Sequence, residues 1–176
     1  MSQFLNVLGG GAPQTLGAVS ITPGSGTGVT VNTTATFNRT VYKVTADYTA
    51  FSAAALTADL VIATLPAKMK LCSIVCDVTT KFIGGAISAA TMIVGHATNN
   101  NGLIVGFDIF TAAVTKGLAD ADLGTDINRA SAIQGGYTGS WTATTPVSVR
   151  VTTVTANTNA LTQGSATWYI EVEQAP

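Results

Sequence analysis

The sequence predicts an all-β protein, an antiparallel β-sandwich or jelly roll with an extended N-terminal arm. Three observations predict it. About one residue in six is threonine, and Thr and Val suit a pleated, half-buried surface. Alternation of apolar and polar residues with a period of two recurs from residue 40 onward. Turn signals built from Gly, Asn and Pro interrupt those runs at short intervals.

Residues 1–39 differ from the rest. They hold Gly9-Gly10-Gly11 and the run Gly24-Ser25-Gly26-Thr27-Gly28, with almost no charge. Such a stretch has too little apolar surface per residue to fold alone. It reads either as a disordered leader or as an arm that orders against a neighbour. The spaced apolar residues Phe4, Leu5, Val7, Leu16, Val19 and Ile21 favour the arm and are its candidate assembly anchors. The chain therefore divides into an arm at 1–39 and a sandwich domain at 40–176.

The elements follow in order. Val41, Lys43, Thr45 and Asp47 alternate with Tyr42, Val44, Ala46 and Tyr48, which is a strand with one buried face. Asp59 to Thr64 is a second strand, stopped by Pro66. Met69 to Phe82 is a long third, with Cys72, Ile74, Cys76 and Val78 on one face and Ser73, Asp77, Thr79 and Lys81 on the other. Thr91 to Ala97 and Leu103 to Phe110 read as strands joined by a turn at Asn99-Asn100-Asn101-Gly102. Thr111 to Asp122 is Ala-rich, with Val114 and Leu118 four apart, and reads as a short helix. A long loop follows from Asp126 to Gly139. Two clean alternations close the chain: Val147, Val149 and Val151, then Trp168, Ile170 and Val172. Turns at Ala156–Asn159 and Gln163–Ser165 separate them. Seven to eight strands after residue 40 point to a sandwich or jelly roll.

Charge excludes some functions. Only 10% of residues are charged and the net charge is −1, so no basic field draws in nucleic acid. Soluble domains carry about 25% charged residues. Here Thr, Ala, Gly and Asn take their place, giving neutral surfaces that self-associate without strong repulsion. Mean hydropathy is +0.40. Yet the longest apolar run, Phe51 to Ala67, is broken by Asp59 and Pro66 and falls short of the ~20 residues of a membrane span. No Lys or Arg precedes Arg39, so the basic region of a signal peptide is not expected.

Reactive groups are few. Cys72 and Cys76 on a strand stand about 13 Å apart, beyond disulfide reach, and read as buried free thiols acting as small hydrophobes. Zinc needs about four ligands, and His96 is the only histidine. Glu171 and Glu173 share a strand face that reads as solvated rather than catalytic. His96 reads as hydrogen-bonded and partly buried, and no nucleophile elbow is present. The glycines at 24, 26 and 28 precede Val29-Thr30-Val31, not a helix, so they are a link and not a phosphate loop. Asp120, Asp122 and Asp126 match a calcium loop only in part, because Gly124, Thr125 and Ser131 stand where such a loop needs other residues. No catalytic residue, cofactor or metal site is expected. A well-formed cleft where His96 meets a carboxylate would overturn that reading.

Three stretches carry a resemblance. Leu60 to Ala67 (LVIATLPA) leads into Met69 to Phe82, then into Ile83 to Gly95 (IGGAISAATMIVG). Asn159 to Trp168 (NALTQGSATW) leads into the last strand. Together these resemble small virion structural proteins of tailed bacteriophages, over about residues 40 to 175. The resemblance implies a jelly-roll-like capsid decoration (cement) protein that assembles in the host cytoplasm. Its partners would be itself, as a homotrimer, and a viral major capsid protein, with no nucleic acid and no membrane. The alternative is a receptor- or carbohydrate-binding fibre-tip domain, using Tyr137, Trp141 and the loop at Gly135-Gly136 to stack on a sugar.

Overall fold

Alternation gives each strand one apolar face, and such faces are stable only when two sheets close over them. A computed structural model describes residues 29–36, 39–67, 69–117, 120–126 and 144–174. Its strands are β1 (Val29–Thr36), β2 (Arg39–Asp47), β3 (Thr57–Leu65), β4 (Met69–Ile83), β5 (Ala89–His96), β6 (Asn99–Asp108), β7 (Val114–Lys116), β8 (Thr145–Val154) and β9 (Gln163–Gln174). They form a five-stranded sheet, β1-β2-β9-β4-β7, and a four-stranded sheet, β3-β8-β5-β6. Every pairing is antiparallel.

The pairing is nested. β5 and β6 form the innermost hairpin, β4 pairs β7, β3 pairs β8, and β2 pairs β9. One long folded ribbon thus rolls up until β4 meets β9 and β5 meets β8. This is a jelly roll. The expected all-β sandwich is therefore present.

The inner faces interdigitate. Tyr42, Val44 and Ala46 from β2, Val147, Val149 and Val151 from β8, and Trp168, Ile170 and Val172 from β9 are all fully buried. Each large apolar side chain buried this way contributes about 1.5–3 kcal/mol. Phe51 packs edge-on against Phe82 (centroids 5.8 Å) and Trp168 (6.4 Å). The Tyr42 hydroxyl and Trp168 Nε1 are buried without hydrogen-bond partners among the described residues.

Several expectations change. The sheet begins before residue 40, because β1, inside the stretch expected as the arm, pairs β2 along its length. The described residues of 111–122 hold no α-helix. Val114 and Thr115 are β-branched and complete a ladder with Val78 and Asp77, and only a 3₁₀ turn at Asp120–Asp122 is helical. The hairpin turn is Ala97-Thr98, not Asn99–Gly102, since His96 pairs Asn99 directly. Gln163–Ser165 belongs to β9 rather than to a turn. The six arm anchors, residues 1–28, and the loop residues Gly135, Gly136, Tyr137 and Trp141 lie outside the described residues.

Candidate functional site

Charged side chains are scarce enough that each one on a strand is informative. Asp59 is the only charge in β3 and Arg150 the only charge in β8. The register sets them directly opposite each other. Arg150 Nε donates to Asp59 Oδ1 at 2.7 Å and Nη2 donates to Oδ2 at 2.8 Å, a two-pronged pair. The guanidinium holds the Asp59 carboxyl below its ordinary range, chiefly through these hydrogen bonds.

Beside this pair lies a groove of about 360 Å³ on the outer face of the four-stranded sheet. Asp59, Arg150, Ser148 and Pro146 supply one side, and His96 through Asn100 supply the other. Gly95 makes the shape possible. It pairs Ser148, and a Cβ there would strike the backbone of Asn99 and Asn100, which folds close over it.

His96 ends β5 at the rim. Its Nε2 lies 2.8 Å from Asp126 Oδ2, and its Nδ1 lies 3.0 Å from Thr98 Oγ1. The side chain is 12% exposed. Asn99 Nδ2 donates to the same Asp126 oxygen at 3.1 Å. Around this contact, the backbone N–H of Asp126 donates to Gly102 O at 2.9 Å and that of Gly124 to Leu103 O at 3.0 Å. Gly102 has no side chain because the Asp126 carboxylate occupies that space. The pair therefore pins the segment Leu123–Asp126 onto the β5–β6 hairpin.

The expected hydrogen-bonded, partly buried histidine is what the structure places here. It does meet a carboxylate, but Asp126 is not among the residues that line the groove, so the cleft is not built around the pair. Asp122, by contrast, turns to Lys116 Nζ at 2.8 Å and the Gly117 N–H at 3.3 Å. Among the described residues no group of three or more His, Cys, Asp or Glu side chains is placed to hold a metal ion.

The opposite outer face, on the five-stranded sheet, is an ion and threonine surface. Arg39 meets Glu171 at 2.9 Å and Glu173 at 3.4 Å, and Lys70 meets Glu173 at 3.2 Å. Glu171 and Glu173 thus lie on the outer face, as their alternation with Trp168 and Ile170 predicts. Thr45 and Thr167 share a hydrogen bond of 3.0 Å, and Thr79 and Ser165 one of 2.7 Å. Lys43 Nζ stands 5.6 Å from the Tyr169 ring centre. These described side chains thus find polar partners within the face.

Sequence reasoning missed the groove. Its residues come from four strands and a turn, and no linear motif joins them. The available signal was the pair of isolated charges in otherwise neutral strands. Compared with known proteins, the chain matches no family model, no curated protein and no solved structure. No helix among the described residues is long and apolar enough to cross a membrane.

Proposed function

We propose that this chain is a structural protein of a virus particle, a decoration protein that binds across major capsid protein subunits as a homotrimer and steadies the shell. The observation that supports it best is the nested jelly-roll pairing, an architecture that capsid domains use. Lectins and cupins use it too, so the surfaces must carry the rest of the argument. The outer face of the five-stranded sheet carries threonine pairs and ion pairs bonded within the face, so covering them leaves their polar groups matched while the ions still cost desolvation. Among the described residues the large apolar side chains most exposed are Leu56 (50%) and Val154 (53%), both at one end of the four-stranded sheet. Contacts repeated around a shell add avidity that one weak interface lacks.

The test is light scattering on the purified full chain, followed by co-sedimentation with shells that lack it. A trimer that co-sediments is the expected result. A monomer that stays in the supernatant overturns the reading. Because β1 begins at Val29, the arm is tested by removing residues 1–28 and no more. The shortened chain should keep its β-type circular dichroism and bind shells more weakly.

One observation favours a second reading, a hydrolytic site. Thr98, His96 and Asp126 form a continuous hydroxyl–imidazole–carboxylate chain at the groove's rim. Against it, Thr98 sits two residues from His96 on the hairpin turn itself. Its bond is therefore local, and the carboxylate is also tied to Asn99. Turnover of p-nitrophenyl esters that disappears in His96→Gln would decide for hydrolysis.

A further inference from the structure

We propose that the groove beside Asp59 and Arg150 is a binding site for a neutral sugar, one or two pyranose rings in size. Three features carry the inference. The first is volume: about 360 Å³ sits at the small end of ligand pockets, which run from about 300 to 1,000 Å³.

The second is electrical balance. Asp59 and Arg150 neutralise each other through a two-pronged bond, so the groove presents no net charge to attract an anion or a cation. The pair still has capacity. The Asp59 side chain is 54% exposed, which leaves lone pairs facing outward. Arg150 has five N–H donors and uses two on Asp59. An acceptor and a donor held side by side match the adjacent hydroxyls of a sugar, each of which both donates and accepts.

The third is the rest of the lining. Ser148 and Thr98 add hydroxyls and Asn100 adds an amide, while Pro146 and Ala97 offer apolar surface to ring C–H groups. These groups sit on paired strands and on a turn next to the His96–Asp126 pin. They are held in place before a ligand arrives, which lowers the ordering cost of binding. The inference is independent of the shell reading, since a decoration protein and a free binding module could both carry it.

The experiment is a titration of the ¹⁵N-labelled full chain with glucose, galactose, mannose and N-acetylglucosamine, with sodium sulfate and magnesium chloride in parallel. At least one sugar should give saturable shifts confined to the amides of Asp59, Ala97–Asn100, Ser148 and Arg150. The two salts should give none there. Ser148→Trp, which fills the groove from the outer face, should weaken binding about tenfold or more, equal to about 1.4 kcal/mol. Asp59→Asn keeps the shape, removes the charge-assisted acceptor, and should weaken it as well. A glycan array run beside the free sugars separates a terminal sugar on a chain from a free one. No saturable sugar shift, saturation by sulfate or magnesium instead, or sugar binding unchanged in Ser148→Trp would each overturn the proposal. Light scattering on the same samples reads self-association separately.

Discussion

Cys72 and Cys76 lie four positions apart on β4, yet the fold treats them differently. The ladder to β9 slips between Leu71 and Ser73, so Cys72 takes the extra position of a bulge. Leu71 then points inward in its place, and Cys72 is only half-buried. Strict alternation could not show this, because a bulge resets which residues face the core. Burial, with Glu173 nearby, pushes the Cys72 thiol up to about 11. Deeper burial pushes Cys76 higher still. Reaction with a thiol reagent needs the thiolate, which at pH 8 is about one part in a thousand for a pKa near 11. In the native protein, Cys72 should therefore react with a disulfide reagent about a hundredfold or more slower than free cysteine. Cys76 should react only after denaturant is added. Time-resolved absorbance, with mass spectrometry to locate the label, checks both. Fast native labelling of Cys76 would mean that the sheets open more readily than their packing implies.

At the scale of elements, strands were readable and their joints were not. Val147–Val151 and Trp168–Val172 alternate so cleanly that only one face can be buried, and both are strands with those residues inside. Joints failed where local and long-range preferences diverge. Asn99–Asn101 has the composition of a turn, but pairing with β5 draws it into β6 and leaves the bend to Ala97-Thr98. At the far end of β6, Asp108 accepts the N–H of Phe110 at 2.7 Å, which stops the strand sooner than its apolar residues suggest. The apparent helix at 111–122 rested on alanine content and spacing, and the β4 ladder outweighed both. His96 was legible as a bonded histidine, but its partner Asp126 was not, since nothing in the sequence says that the segment folds back. That contact gives an element-scale prediction. His96→Gln or Asp126→Asn should cost about 1–2 kcal/mol, the worth of a partly buried charged hydrogen bond. The loss should be local. Amides of Gly124 and Asp126, which donate to the hairpin, should exchange with deuterium much faster, while those of β4 and β9 keep their protection. Uniform loss of protection would show that the pin supports the whole roll.

For the whole molecule, pH reads the balance between surface carboxylates and buried neutral groups. Asp59 is held below its ordinary 3.8 by hydrogen bonds from Arg150, and Asp108 below the same value by bonds from Thr111 and the Phe110 N–H. Glu173 is held below 4.5 chiefly by Lys70. A carboxyl depressed by folding adds stability in full above its unfolded value. That stability is lost as pH falls through the folded value. The acid limb therefore begins near pH 4 and steepens below it. These groups are largely exposed, so solvent and salt screen the effect and the slope should be shallow. The alkaline limb has a different origin. Burial raises Cys72 and Cys76 from 9.0 and Tyr42 from 10.0, because loss of water disfavours their charged forms. Groups raised by folding stabilise fully below their unfolded values, and that contribution fades as pH climbs past them. The melting temperature should hence be flat from about pH 5 to about pH 9 and fall on both sides. Added salt should alter the acid limb, which comes from exposed pairs, and leave the alkaline limb nearly unchanged. Replacing both thiols, Cys72→Ala with Cys76→Ala, should shift the start of the alkaline limb upward toward the tyrosine range, whatever it does to absolute stability. A melting temperature that rises or falls steadily across neutral pH would overturn this account.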